Sequence, residues 1–82
     1  METKNEITVY GTSWCPDTIR AKRLLDERQI QYRWIDIDHD REGEKFVVTA
    51  NRGNHSVPTI VFKDGSILVE PSNSELTAKL VK

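Results

Sequence analysis

The chain has 82 residues, of which 37% are hydrophobic and 30% are charged, and its formal net charge is −1. This composition is typical of a globular protein with one small core, and we expect a single domain over residues 1–82. Charged residues of both signs are interspersed without a basic block, which argues against nucleic acid or an anionic membrane as partner. With no apolar run of membrane-spanning length and no signal core at the start, we expect a cytoplasmic monomer.

The first half of the chain alternates between strand and helix patterns. Residues 6–10 are rich in β-branched and aromatic side chains and predict a short strand. Residues 16–29 carry an apolar stripe beside arginines and predict a helix, since Pro16 suits the first helical position. Residues 31–37 alternate apolar side chains on both faces, which is typical of a strand covered on each side by helices.

The second half continues with a helix and two strands. Residues 41–52 place apolar side chains at helical spacing, and Gly53 is a natural C-terminal stop. Residues 57–62 predict a central strand that begins near a proline. The Asp64-Gly65 pair is a hairpin turn signal, so residues 66–70 predict its partner strand.

The last helix is indicated by a capping box. Ser72 is followed three residues later by Glu75, and apolar residues continue behind them. The complete order is therefore β-α-β-α-β-β-α. Short connections and right-handed crossovers favour an α/β fold with a four-stranded mixed sheet flanked by helices on both faces.

Cys15 is the only cysteine of the chain, so it cannot form an intramolecular disulfide. It lies directly before Pro16, where unpaired N–H groups and the positive end of the helix dipole stabilise an anion. The thiolate is the nucleophile of thiol–disulfide exchange, so this position predicts a reactive cysteine. Thr18 is expected to donate a hydrogen bond to the sulfur, whereas the carboxylate of Asp17 opposes a second negative charge. A merely buried, structural cysteine is the alternative.

A second unusual feature is the Ser-Val-Pro-Thr stretch at residues 56–59. A proline that opens a central strand is out of place unless its missing donor serves a purpose. A cis Val57–Pro58 bond would leave the backbone of Val57 free to pair with an extended ligand, and an ordinary edge proline is the alternative. Trp14 borders the thiol and is expected to pack against a mixed disulfide, and a partly exposed rim aromatic with no specific contact is the alternative.

These motifs together resemble the glutaredoxin branch of the thioredoxin superfamily, and most closely its mycoredoxin-type members. The resembling stretches cover nearly the whole chain and are residues 9–18, 21–32, 50–62 and 64–76. The resemblance implies a thioredoxin fold in which Cys15 attacks and cis Pro58 lies beside it. It also implies a thiol–disulfide oxidoreductase with no tightly bound cofactor or metal, acting on S-thiolated proteins and small thiol disulfides with a low-molecular-weight thiol as co-substrate.

Departures from the family pattern refine this expectation. Dithiol members have a second cysteine at the position of Thr18, and its absence implies a monothiol cycle. Glutathione-specific members have a lysine at the position of Thr12 and a Gly-Gly-x-Asp stretch where residues 70–73 read Glu-Pro-Ser-Asn. In those members the two features hold the two ends of the charged tripeptide. Without them the site suits a neutral, hydroxyl-rich thiol such as mycothiol, to which Ser72 and Asn73 can hydrogen-bond. Bacillithiol and glutathione remain alternatives.

Two other functions compete with this hypothesis. One is an iron–sulfur module in which two copies share a cluster through Cys15, although such family members have Cys-Gly-Phe-Ser at this motif. The other is a non-catalytic module that binds an extended segment at Val57. The leading hypothesis assigns catalysis to Cys15 and Thr18, and substrate binding to Thr12, Trp14, Pro16, Val57, Pro58, Ser72 and Asn73.

Overall fold

The computed structural model describes residues 7–81 and confirms the predicted order of elements. The elements are β1 (Thr8–Gly11), α1 (Pro16–Glu27), β2 (Arg33–Asp36), α2 (Arg41–Ala50), β3 (Thr59–Val61), β4 (Ile67–Val69) and α3 (Asn73–Leu80). Most elements are shorter than predicted, because residues that favour a strand or a helix continue beyond those that pair with a neighbouring strand or close a helical turn. The first residue of the predicted strand at 6–10 lies outside the described residues.

The four strands form one mixed sheet in the order β2-β1-β3-β4. β1 runs parallel to β2 and antiparallel to β3, and β3 runs antiparallel to β4. In this register Val9 lies beside Ile60 on the neighbouring strand. The carboxyl end of β1 therefore leads into α1 near the middle of the sheet.

Helices cover both faces of the sheet, as the sequence predicts. α1 and α3 pack on the face that carries Val9 and Ile60, and the fully buried core there includes Leu25 and Leu76. α2 lies on the opposite face, where the rings of Tyr10 and Phe46 stack with their centroids 4.6 Å apart. Within residues 7–81, no helix combines the length and apolar character that a membrane crossing needs.

Both faces of β2 are covered, as expected for residues 31–37, although β2 is an edge strand. On one face Trp34 packs against the core shared with α1, and on the other face Ile35 lies against Gly43 of α2. Arg33 is exposed, and Trp34 and Ile35 are only half-buried. The Nζ atom of Lys22 lies 3.6 Å from the centroid of the Trp34 ring. The long side chain of this α1 lysine and its cation–π contact thus cover part of the Trp34 ring.

Gly11 allows α1 to approach β1 closely. A Cβ atom at this position would lie 2.6 Å from the Oγ1 atom of Thr18 and 2.7 Å from its Cγ2 atom. No ordinary side chain fits in that space. The glycine therefore sets the height of the first turn of α1 above the sheet, and with it the position of the residue that caps the helix.

Candidate active site

Cys15 is the N-cap residue of α1, as predicted. Its backbone is extended, with φ −79° and ψ 123°, and its carbonyl accepts the first helical hydrogen bond from the Ile19 N–H at 3.0 Å. Pro16 occupies the first helical position and needs no acceptor for its nitrogen. The side chain of Cys15 is half-buried and makes no capping hydrogen bond within the described part of the chain. The helix end therefore acts on the sulfur through its dipoles rather than through one short contact.

The loop that faces the thiol contains the cis bond between Val57 and Pro58. The Sγ atom of Cys15 lies 3.9 Å from the carbonyl oxygen of Val57, which accepts a weak hydrogen bond from the thiol. Pro58 is buried, while Val57 is half-buried. The two motifs that the sequence singled out are therefore in contact across 42 residues of chain.

Side chains that sequence reasoning missed support this loop from behind. The hydroxyl of Thr59 donates to the carbonyl oxygen of Ser56 at 2.8 Å. It also accepts a hydrogen bond at 3.1 Å from the side-chain amide of Asn51, which caps the C-terminus of α2. Thr59 is fully buried, so both bonds are shielded from water. Nothing in the local pattern identifies Asn51, because its partner lies on another element.

The N-terminus of α3 lies next to the same loop. The backbone N–H of Glu70 donates to the carbonyl oxygen of Pro58 at 2.8 Å. The predicted capping box is present: Ser72 accepts from the Glu75 N–H at 3.1 Å, and the Glu75 carboxylate accepts from the Ser72 N–H at 2.9 Å. Ser72 and Asn73 are exposed. The structure thus brings the predicted α3 residues alongside the cis-proline loop.

Thr12 and Thr18 do not have the surroundings that the sequence predicted. Their exposed fractions are 3% and 0%, and within residues 7–81 neither hydroxyl oxygen has a hydrogen-bond partner. The predicted hydrogen bond from Thr18 to the sulfur of Cys15 is therefore absent, since Thr18 packs against Gly11 instead. The Thr12 side chain is likewise almost completely buried. Sequence spacing placed Thr18 near the thiol and the family resemblance placed Thr12 there, but neither determines the direction in which the side chain points.

Trp14 is a prominent exposed side chain beside the thiol, with 68% of its surface accessible. Its indole Nε1–H donates a hydrogen bond of 2.8 Å to the carboxylate of Asp38, in the loop between β2 and α2. A second carboxyl group, that of Asp36, lies at the end of β2. Partial burial tends to raise its pKa, but hydrogen bonds from the Asp38 N–H and the His39 ring outweigh burial, so the pKa of the Asp36 carboxyl is lowered.

The chain is similar to known members of one protein family. The family model named Glutaredoxin matches residues 7–67. A Mycobacterium tuberculosis protein that is assigned to the glutaredoxins is 47% identical over 76 residues, which are 93% of this chain and 90% of that protein. Mycoredoxin 1 of Corynebacterium glutamicum is 36% identical over 76 residues, covering 93% of this chain and 94% of its own.

A solved structure shows the same fold. The crystal structure of a glutaredoxin from Archaeoglobus fulgidus superposes with a TM-score of 0.76 at 24% identity, covering 95% of this chain and 88% of that one. The likeness extends through β-sheet and helices alike and agrees with the thioredoxin fold that the sequence predicted. The family model and both relatives match most of this chain, whose structure has the thiol, the cis proline and the sheet order described above. The chain therefore belongs to the glutaredoxin family of thiol–disulfide oxidoreductases.

Proposed function

We propose that this glutaredoxin reduces mixed disulfides between proteins and a low-molecular-weight thiol by a monothiol mechanism, with Cys15 as nucleophile. The observation that carries the proposal is the place of the Cys15 sulfur. It is half-buried at the N-cap of α1 and lies 3.9 Å from the carbonyl oxygen of Val57. A disulfide that reaches this sulfur also reaches the backbone of Val57, which is available to hold an extended substrate.

The proposed cycle has two exchange steps. In the first, the Cys15 thiolate attacks the small-thiol sulfur of the mixed disulfide, and a new disulfide forms between Cys15 and the small thiol. The bond to the protein sulfur breaks, and the protein leaves with the electron pair as a thiolate that takes a proton from water. In the second, the thiolate of another small-thiol molecule attacks the small-thiol sulfur on Cys15. This releases a small-thiol disulfide and regenerates the Cys15 thiolate.

The chain composition supports the monothiol form of this cycle. Cys15 is the only cysteine, so no second thiol of the same chain can displace the small thiol. Thr18 occupies the place of the second cysteine but is fully buried without a partner for its hydroxyl among residues 7–81. We therefore assign Thr18 a packing role under the helix end, and assign the chemistry to Cys15 alone.

Mycothiol is the small thiol that we propose. The exposed residues at the start of α3, Ser72 and Asn73, are neutral, and Thr12 replaces the lysine of glutathione-specific relatives. Neither place can neutralise a carboxylate, whereas hydroxyl and amide groups can hydrogen-bond a sugar. Trp14, Pro16 and the 57–58 backbone would form the remaining walls of the site. The similarity to Mycoredoxin 1 supports the same choice.

Adduct formation tests the proposal directly. The reduced protein is incubated separately with the disulfides of mycothiol, glutathione and bacillithiol, and the mass of the intact protein identifies the adduct. We expect a single adduct on Cys15, formed fastest with mycothiol, and turnover of a peptide S-thiolated with mycothiol. Cys15→Ser should form no adduct and show no turnover, and Ser13→Ala, in the same exposed loop, is the matched control. Faster reaction with glutathione would overturn the choice of mycothiol, and an adduct without turnover would overturn the proposed activity.

The remaining expectations concern the chain as a whole. We propose that residues 1–82 act as one glutaredoxin-like domain, as a monomer, in the cytoplasm. The half-buried, unpaired cysteine supports this location, because the cytoplasm is a reducing compartment that keeps thiols free and supplies the reduced small thiol. Light scattering of the reduced protein tests the oligomeric state, and a mass of two chains would contradict it.

A further inference from the structure

We infer that Asp38 is a specificity-determining residue, which rests on the function proposed above. Its carboxylate disfavours small thiols that carry a negative charge and leaves neutral ones unaffected. Asp38 lies in the loop between β2 and α2. It comes 23 residues after Cys15 and is therefore not part of the cysteine motif. Its effect on the site comes from one fixed hydrogen bond.

The carboxylate of Asp38 is held by Trp14, the residue before the reactive cysteine. The indole Nε1–H donates to the Oδ2 atom of Asp38 at 2.8 Å, and Trp14 immediately precedes Cys15. One tryptophan side chain and one residue step separate the charge from the sulfur, a distance on the order of 10 Å. Because 68% of the Trp14 surface is exposed, the indole and the carboxylate that it binds face the solution from which a small thiol arrives.

The charge of Asp38 is not balanced by an ion pair. Other carboxylates around the site have basic partners: Asp17 pairs with Arg20 at 2.9 Å, and the rings of His39 and His55 contact Asp36 at 3.2 Å and Glu44 at 2.9 Å. No ion pair joins Asp38 to a basic side chain anywhere in residues 7–81, although the shallow depression that it lines also contains His39 and Arg41, together with the carboxylates of Asp40 and Glu44. The described partner of its carboxylate is the neutral indole.

An unbalanced carboxylate at this distance acts on a bound group through solvent. A single negative charge on the small thiol is repelled, and a positive charge is attracted, each by a factor of about two to five at low ionic strength. Discrimination then comes from a repulsive element against the wrong co-substrate as well as from contacts with the right one. A thiol without carboxylates escapes this penalty, whereas glutathione has two carboxylates to place.

The test uses three substrates that differ in charge at nearly constant size. One peptide is S-thiolated with mercaptoethanol, mercaptopropionate or cysteamine, which makes the small-thiol part neutral, anionic or cationic. For each substrate, kcat/KM is measured for the wild type and for Asp38→Asn, in which the side-chain oxygen can still accept from the indole. Relative to the neutral substrate, the variant should gain about two- to fivefold with the anionic one and lose a similar factor with the cationic one.

Controls separate charge from structure. Asp64→Asn removes the same charge from the turn between β3 and β4, where its partner is Lys79, and should change none of the three values. High salt should diminish the charge dependence of the wild type. Fluorescence anisotropy of Trp14 in a Trp34→Phe background checks that Asp38→Asn keeps the indole in place.

The outcomes are distinct. An equal change for all three substrates would overturn the inference, because Asp38 would then act only by positioning Trp14. No change for any substrate would overturn it too. If the wild type turns over the peptide S-thiolated with mycothiol but none of these three, the inference about Asp38 is overturned and the proposed function stands. Absence of turnover with the mycothiol peptide as well would overturn the proposed function.

Discussion

The contact between Gly11 and Thr18 makes the close approach of α1 to β1 testable by a double-mutant cycle. In Gly11→Ala, the new Cβ atom would lie 2.6 Å from Oγ1 and 2.7 Å from Cγ2 of Thr18, well inside van der Waals contact. Thr18 is fully buried, so it cannot swing out into water. The helix end or the strand end must move instead.

The expected cost has two opposing parts. Overpacking of this kind costs about 1–3 kcal/mol of the free energy of unfolding. Alanine at the end of a strand otherwise gains about 0.5–1 kcal/mol over glycine through backbone entropy. The net expectation for Gly11→Ala is therefore a loss of about 0.5–2 kcal/mol, which lowers Tm by several degrees in a domain of this size.

Thr18→Ala supplies the matched background. It removes both close atoms and leaves the Cβ atom of residue 18, which would lie 3.2 Å from the new methyl group. In this background Gly11→Ala should cost less, although the remaining 3.2 Å contact is still tight, so the interaction energy between the two substitutions should be about 1–2 kcal/mol. Urea unfolding followed by circular dichroism measures all four corners of the cycle.

Activity provides a second readout of the same cycle. Gly11→Ala should lower turnover because it displaces the first turn of α1, and with it the sulfur of Cys15, from Val57. Thr18→Ala alone should retain turnover, since its hydroxyl makes no hydrogen bond to the sulfur. An equal cost of Gly11→Ala in both backgrounds would refute the role of the Thr18 contact. Loss of turnover in a stable Thr18→Ala protein would restore the hydroxyl as a catalytic group.

Two further predictions concern stability away from the thiol. Burial and the hydrogen bond to the Asp26 carboxylate raise the pKa of Tyr32 from 10.0 to about 12. Because the folded value is higher, the unfolded chain loses this proton first, so the stabilisation is complete below pH 10.0 and is lost as the pH rises through about 12. Tyr32→Phe should reduce this alkaline loss in unfolding titrations, and an unchanged slope would contradict the assignment. Ser72→Ala should cost about 0.5–2 kcal/mol in urea unfolding, because the Glu75 N–H loses its acceptor. A cost equal to that of Ser74→Ala, two residues after the cap, would argue against the capping box.

Local features of the sequence were sufficient to predict the order of elements and the two motifs that meet at the site, the N-cap cysteine and the cis-proline loop. The N-cap position of Cys15 follows from the proline after it, and the capping box at Ser72 follows from residues three apart. The place of the cis proline follows from its position at the head of a strand. Each of these depends on neighbours within one helical turn or one strand, where steric and hydrogen-bonding rules act on the chain directly.

Tertiary packing decided the rest. That β2 is an edge strand depends on which strands pair, and its alternating pattern is the same whether one or two neighbours are present. The direction of the Thr18 hydroxyl depends on how closely α1 approaches Gly11, and the Trp14–Asp38 bond joins side chains that are 24 residues apart. Periodicity identifies the face on which a side chain lies but not the atoms that it meets, because those belong to elements whose distance is set only when the core closes.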